Sequence, residues 1–459
     1  MKNLQNLLLN SLFNKFSIET TDNILEWINK SNFNTQVKLE KVDLHDLDNW
    51  NFGPNEISHV SGKFFSITGI RIRGNVDRHP VYWEQPIINQ PEIGYLGIVC
   101  REFNGVLHFL LQAKIEPGNV NKVQLSPTIQ ATKSNFTKVH NGNPTPYLDE
   151  FQNCNICDVI LDQLQSEQGA RFLQKRNRNI IIINNNIEPV DDRFKWLNLF
   201  QIKKLMLEDN LVNMDTRTVI GCLNLNLFST SKVNNLEFTP ENFKNFQYFS
   251  NNNNIFSSDT VLAWLTKKKL LTDLKTEVIP LVSMNEWKCT IRDIRHVNDL
   301  FFKVVGVNVK IENREVVKWS QPMIEPSCKG HIALFYSKFN NNIYFLVRSK
   351  FEIGSFDKLE LGPTIQTSKS RLGDVDIFVY EIMKNSRKVL SVFQSEEGGR
   401  FYHEENLNEI YEIDYFNIDI NDSDLIWLSY TQIQEMMKYS AIVNIQLRTM
   451  MSLLYKITF

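Results

Sequence analysis

Apolar positions along the chain follow two periods, and the order in which those periods appear occurs twice. Ile24, Leu25, Trp27 and Ile28 fall on one face of a helix that Thr21 or Asp22 can cap. Residues 64–72 then alternate as a half-buried strand does, residues 98–100 form a short apolar strand, and Asn104-Gly105 predicts a tight hairpin leading into residues 106–111. Residues 123–125 and 180–183 read as further strands. The segment 195–207 and the region around Arg217 read as helices.

The same signals return in the second half. TDNILEWI, beginning at Thr21, matches SDTVLAWL, beginning at Ser258, so Trp27 stands opposite Trp264. At that offset Trp50 meets Trp287, Phe64 meets Phe301 and Gly69 meets Gly306. After a one-residue slip, Trp83 meets Trp319, Lys114 meets Lys350, Glu116 meets Glu352, Gly118 meets Gly354, and Pro127-Thr128-Ile129-Gln130 meets Pro363-Thr364-Ile365-Gln366. The second copy is then shorter, and Gln165-Ser166-Glu167 realigns with Gln394-Ser395-Glu396. Matched blocks of this length mark a tandem duplication. The expected division is a first repeat over 1–246, which carries the reaction, and a second over 247–459, with the junction near the Asn-rich stretch 247–254. Strands followed by terminal helices in each copy place both in the α+β class.

Composition removes several functions. With 50 Lys and Arg against 52 Asp and Glu the net charge is −2, so no broad basic field is present to hold a nucleic-acid backbone. No apolar window is long enough to span a membrane, and the interrupted N-terminal run Met1–Phe16 lacks a signal-peptide cleavage site, so a cytoplasmic protein without membrane partners is expected. The six cysteines are scattered. Cys154 and Cys157 make a lone CxxC without a second pair, which reads as two ordinary thiols rather than a metal site.

The densest polar stretch begins at Gln112. On a strand Gln112, Lys114 and Glu116 share a face, bringing a cation beside a carboxylate. Gln124, Ser126, Thr128, Gln130, Thr132 and Ser134 alternate in the same way, with Asn135 next in the chain, and a row of hydroxyls and amides suits a ligand rich in oxygen. The competing reading is a solvated strand face, which partial recurrence in the second copy weakens. Glu167, Arg171, Lys175, Arg176 and Arg178 form a second cluster able to meet a diphosphate. His140 and Tyr147 lie in the segment that the second copy shortens, and His108 is replaced by Tyr344, so chemistry is expected in the first copy.

The blocks QAKIEPGNVNKVQLSPTIQATKSNF, VHNGNPTPYLDEF, LQSEQGARFLQKRNRN and LVNMDTRTV, with LGPTIQ and SEEGGRF in the second copy, resemble the NDP-hexose 2,3-dehydratase family. The resemblance covers residues 20 to 455 and departs at Arg171, where the family pattern has an aromatic residue before Phe172. It implies two Nudix-like domains per chain, a homodimer, and elimination of water from dTDP-4-keto-6-deoxyglucose without any cofactor or metal. It also implies roles: His140 or Glu167 as base, Lys114 and Tyr147 as enolate stabiliser and leaving-group acid, Glu116 holding Lys114 charged, Trp83 stacking on thymine, and Lys175, Arg176 or Arg178 at the diphosphate. The Nudix hydrolase signature itself is absent; Glu396-Glu397-Gly398 is only a fragment of it. Two other functions remain open on the sequence: a Nudix-type nucleoside diphosphate hydrolase, which needs a divalent metal, and a sugar-nucleotide binding module with no catalysis.

Overall fold

A computed structural model describes residues 2–76, 79–132, 145–224, 253–312, 316–368, 377–414 and 423–454. It is a mixed fold in which antiparallel sheets predominate and helices are few. Each repeat builds one seven-stranded sheet on the same plan. In the first, Val106–Ile115 lies between Gly94–Phe103 and Phe194–Asn198, while Arg176–Ile183 runs parallel to Gly94–Phe103 and antiparallel to Val159–Ser166. In the second, Asn342–Phe351, Gly330–Phe339, Leu425–Ser429, Glu405–Glu412 and Arg387–Ser395 take those places, with the same single parallel pairing. The hairpin at Asn104-Gly105 forms with both residues at positive φ, 50° and 75°, as a tight turn of this hand requires.

Two smaller sheets tie the repeats together by exchange. Val37–Val42 of the first repeat pairs antiparallel with Phe302–Ile311 of the second, and Asp273–Ile279 of the second pairs with Ser66–Val76 of the first. The largest apolar core is therefore shared, and it includes Val219 and Ile220 as well as Leu447, Met450 and Met451. Burying residues of both repeats in one core couples their folding.

The helices Met214–Gly221 and Ile445–Ser452 interlock across this core. Arg217 donates to the Ser395 carbonyl in the second repeat; its counterpart Arg448 donates through Nη2 to the Ser166 carbonyl in the first. Arg448 also reaches Thr218 Oγ1 at 3.0 Å through Nε and the Val443 carbonyl at 2.5 Å through Nη1. A guanidinium with several fixed donors can satisfy carbonyls that would otherwise be buried without partners.

Two local expectations change. A helix over Lys2–Leu12 precedes the expected one, which spans Thr21–Asn34 and is capped by Thr20, whose hydroxyl accepts from the Asn23 amide at 3.2 Å. The segment expected to be helical from 195 begins instead as the strand Phe194–Asn198, and only Leu199–Leu205 is helical. The alternation of Phe194, Trp196 and the residues between them fits a strand. Asn198 then opens the helix by exchanging hydrogen bonds with Gln201 in a capping box.

Candidate active site

A cavity of about 810 Å³ opens where the first repeat's Lys114–Pro117 segment meets the second repeat's Glu397–Arg400 segment. Strand geometry sets its floor. Lys114 and Glu116 lie on the same face near the end of Val106–Ile115, with Lys114 Nζ 3.4 Å from Glu116 Oε1. That oxygen also accepts from Gln130 Nε2 at 2.9 Å, and Gln130 Oε1 accepts in turn from Asn213 Nδ2 at 3.4 Å. Glu167, only 8% exposed, comes directly after the end of Val159–Ser166; its Oε1 accepts from Asn177 Nδ2 at 2.6 Å. The Asn177 Oδ1 is itself held by the Gly94 amide at 3.1 Å.

The second repeat completes the site. The Gly118 amide donates to the Gly398 carbonyl at 2.7 Å, and the His403 amide donates to the Gly118 carbonyl at 2.9 Å. This crossing holds Glu397, Gly399 and Arg400 in the wall of the cavity. Arg400 lies over the Phe65 ring, 4.2 Å from its centroid, and donates to Gln90 Oε1 at 3.3 Å. An aromatic wall forms from Trp50, His59 and Phe64 of the first repeat with Trp319 of the second. Trp50 is fixed by its indole N–H to the Ser320 carbonyl at 2.7 Å, and His59 packs edge-on against it at 5.4 Å between centroids.

Charge in the cavity is crowded and poorly solvated. Glu116, Glu167, Asp215 and Glu397 all line it, together with Lys114, Lys175 and Arg400. Burial raises the Glu167 carboxyl, although Arg448 and Lys175 pull the other way. Burial, reinforced by Glu116, pushes Glu397 up to about 7. Asp215 is raised well above the carboxylate range by burial and then by the charges of Glu167, Glu397 and Glu116. Burial also lowers the Lys175 ammonium, which donates to the Glu92 carbonyl. Buried acids held at raised pKa beside cations are the usual equipment of proton transfer.

Of the residues that the sequence points to, Lys114, Glu116, Thr128, Gln130, Thr132, Glu167 and Lys175 line this cavity. His140, Ser134 and Asn135 fall outside the described residues. Tyr147 does not line the cavity: its hydroxyl donates to the Glu188 carbonyl at 3.0 Å and accepts from the Val190 amide at 2.8 Å, so it pins a loop. Trp83 packs on Phe301 of the second repeat, 4.8 Å between centroids, and its counterpart Trp319 occupies the cavity wall instead. Arg171 lies over Phe302, Arg176 over Phe356, and Arg178 forms a paired contact with Asp162 at 2.6 and 2.8 Å. None of these three arginines lines the cavity.

The alternating polar row is not one exposed face. The strand breaks after Val123–Ser126 and resumes at Ile129–Ala131. Gln124 is fully buried and donates to Ser395 Oγ at 2.8 Å, Ser126 accepts from Asn213 Nδ2 at 2.8 Å, and Thr128 Oγ1 bridges the Leu110 carbonyl and the Val99 amide. Thr364 bridges Leu346 and Phe335 identically, so the recurrence of this threonine has a structural cause. His108, too, is a core residue, wedged between Phe16 and Phe103.

Asp215, Glu397, Arg400, Asn177 and the aromatic pair Trp50 and Trp319 join the site only in the fold. Recurrence of Asn177 as Asn406 and of Trp50 as Trp287 is a usable signal for two of them. The convergence of segments so distant in the chain is not visible in the sequence, because the cavity depends on the exchange between repeats.

These features define a class: an enzyme site for acid–base chemistry, set between tandem repeats, with an aromatic wall and buried cations beside paired carboxylates. The family model for NDP-hexose 2,3-dehydratase matches residues 21–223 and 258–454, one segment in each repeat, and the chain belongs to that family. It is 36% identical over 431 residues to the dTDP-4-dehydro-6-deoxy-alpha-D-glucopyranose 2,3-dehydratase of Saccharopolyspora spinosa, covering 92% of this chain and 88% of that protein. Enzymes of the same name from Streptomyces violaceoruber and Amycolatopsis orientalis are 36% and 34% identical, over 90% and 94% of this chain and 92% and 89% of their own lengths. No helix among the described residues is long and apolar enough to cross a membrane, and no group of three or more His, Cys, Asp or Glu among them is arranged to hold a metal ion.

Proposed function

We propose that this chain removes water across C2 and C3 of dTDP-4-keto-6-deoxyglucose, giving a 3,4-diketo-2,6-dideoxy sugar for deoxysugar biosynthesis. The observation that carries this reading is the meeting, in one cavity, of Lys114 with several buried carboxylates next to an aromatic wall. The C4 ketone acidifies C3–H. Removing that proton gives an enolate whose charge rests on the C4 oxygen, and collapse of the enolate expels the C2 oxygen. The resulting 3-hydroxy enone tautomerises to the diketone. Every step is a proton transfer or a shift of an electron pair within the sugar, so the balance requires no redox coenzyme.

Glu167 is the base within the described residues, oriented by Asn177, and His140 is the alternative on the segment unique to the first repeat. Lys114, steadied by Glu116, faces the developing enolate oxygen. The thymine lies against the wall of Trp50 and Trp319, and Lys175 with Arg400 meets the diphosphate. The two repeats, divided as 1–246 and 247–459, are Nudix-like domains that lack the hydrolase signature, and the chain acts as a homodimer. Glu167→Gln and His140→Ala each test the base. The variant lacking it loses turnover by at least ~10²-fold with an unchanged unfolding midpoint. Full activity in both variants would remove this assignment.

A further inference from the structure

The elimination proposed above requires an acid at the departing C2 hydroxyl, and the identity of that acid is inferred on the footing of the dehydratase reading. Tyr147, expected in this role, has its hydroxyl tied to the loop at Glu188 and Val190. The duplication supplies an internal comparison that points elsewhere.

Around the cavity the two repeats keep one framework. Gln130 donates to Glu116 at 2.9 Å as Gln366 donates to Glu352 at 2.7 Å, and Asn177 donates to Glu167 as Asn406 donates to Glu396. Within that framework several positions differ: Asp215 stands opposite Gln446, Glu397 opposite Gln168, Lys175 opposite Glu404, and Gln124 opposite Glu360. In the second copy of the site both amides, Gln446 of the second repeat and Gln168 of the first, serve Glu396. Gln446 Nε2 donates to its Oε1 at 3.0 Å, and Gln168 Nε2 donates to its Oε2. With Asn406 as a third donor, that carboxylate is saturated and the network is closed.

In the first repeat's cavity the two amides are replaced by carboxyl groups, Asp215 of the first repeat and Glu397 of the second, and the matching network is left open. Asp215 is 2% exposed, lines the cavity, and makes no side-chain hydrogen bond among the described residues. A carboxyl group in the position of a donor amide can donate only when it carries a proton. Burial raises the carboxyls of Glu167, Asp215 and Glu397, and at Asp215 and Glu397 neighbouring carboxylates add to the rise. Carboxyl groups able to take up and give a proton therefore face the substrate cavity, where the other copy of the site has amides that do not exchange one at neutral pH.

We propose that Asp215 is the general acid of the elimination, delivering its proton to the C2 oxygen as that bond breaks. The base takes the C3 proton. The C3–H electron pair forms the C3–C4 double bond and places charge on the C4 oxygen. When the carbonyl re-forms, the C2–C3 double bond forms and the C2–O bond breaks with its electron pair. The Asp215 proton joins that oxygen, water departs, and the carboxylate left behind is reprotonated from solvent or by the acid that took the C3 proton.

The test is Asp215→Asn, an isosteric change at a side chain whose carboxyl makes no hydrogen bond among the described residues, assayed with dTDP-4-keto-6-deoxyglucose in deuterium oxide. Two signals are recorded: formation of the dehydrated sugar, and wash-in of deuterium at C3 of recovered substrate. The expected result is that dehydration falls by at least ~10²-fold, C3 exchange persists within about threefold of what the wild type supports, and the unfolding midpoint is unchanged. Asp215→Glu, which keeps an ionisable proton, is expected to dehydrate at least about tenfold faster than Asp215→Asn. Dehydration within about tenfold of wild type in Asp215→Asn overturns the proposal. So does parallel loss of C3 exchange, which would make the residue the base or a structural element, and so does a Glu variant no faster than the Asn variant. Wild-type protein that neither dehydrates nor exchanges the sugar would instead defeat the dehydratase reading itself, so the two failures are distinct.

Discussion

Replacing Gly118 with alanine tests whether the active site depends on the crossing between repeats. A Cβ built at Gly118 would lie 1.6 Å from the Phe401 carbonyl oxygen and 2.8 Å from that of Gly398, whereas ordinary contact begins near 3.4 Å. Both obstacles are backbone of the second repeat, so no side chain can swing aside. The segments must separate by ~2 Å, because packed interiors hold no spare space of that size. That movement breaks the 2.7 Å bond from the Gly118 amide to Gly398 and the 2.9 Å bond from the His403 amide to Gly118. Two such bonds contribute about 1 kcal/mol each, and overpacking typically costs about 1–3 kcal/mol, so the expected loss is about 3–5 kcal/mol. Because Glu397 and Arg400 ride on the displaced segment, turnover is expected to fall with stability. Urea unfolding monitored by tryptophan emission, with turnover measured well below the transition, reads both. Gly105→Ala is the control: that residue has φ +75° and no atom within 4 Å of a new Cβ, so the cost is limited to about 1–2 kcal/mol of backbone strain and turnover is unaffected. A Gly118→Ala protein as stable and as active as wild type would refute the interlocked site.

Other named groups give further expectations. Lys114→Met is expected to cut turnover by at least ~10²-fold with the unfolding midpoint preserved, and activity near wild type would show that Lys114 does not stabilise the enolate. Arg448→Met removes donors from the Ser166 and Val443 carbonyls in the shared core, and a loss of about 3 kcal/mol or more in urea unfolding is expected; a loss under about 1 kcal/mol would mean the interlock is dispensable. Burial raises Glu360, Glu396 and Glu397 to about 7. Between the usual glutamate pKa and about 7 the folded chain therefore holds protons that the unfolded chain has released, and stability falls as pH rises through that window, by about 1.4 kcal/mol per pH unit for each such proton. Urea midpoints measured across the window check this, and Glu360→Gln is expected to flatten the slope. A rise in stability with pH over the same window would contradict it. Glu409, lowered to about 2 by His331, Lys388, Tyr411 and Ser391 against the effect of burial, acts with the opposite sign and below the window.

How far the sequence reaches differs between fold and site, for a physical reason. Duplication, the opening helix, the Asn104-Gly105 hairpin and the helix at Arg217 are legible because each rests on local spacing. Lys114 with Glu116, and Glu167, are legible because polar residues recur on a strand face or beside a strand end. Trp83 and Trp319 are equivalent positions in the sequence, and the choice between them depends on which repeat's wall faces which cavity. That is set by the strand exchange of Val37–Val42 and Asp273–Ile279. Glu397 and Arg400 sit in the second repeat yet serve the first repeat's cavity for the same reason. The polar row is not one exposed face, because Thr128 and Ser126 bond buried backbone and Asn213, while Gln130 and Thr132 line the cavity. Recurrence in a duplicated chain marks packing as readily as chemistry, and the positions where these repeats differ, Asp215 and Glu397 above all, are the more informative.

The most direct measurement is to incubate the purified protein with dTDP-4-keto-6-deoxyglucose in the presence of a chelator and monitor the nucleotide sugar by mass spectrometry, trapping the labile product. Time-dependent loss of one water from the intact nucleotide sugar is the expected result. An unchanged substrate, or cleavage to a nucleoside monophosphate and a sugar phosphate on adding a divalent cation, would contradict the account.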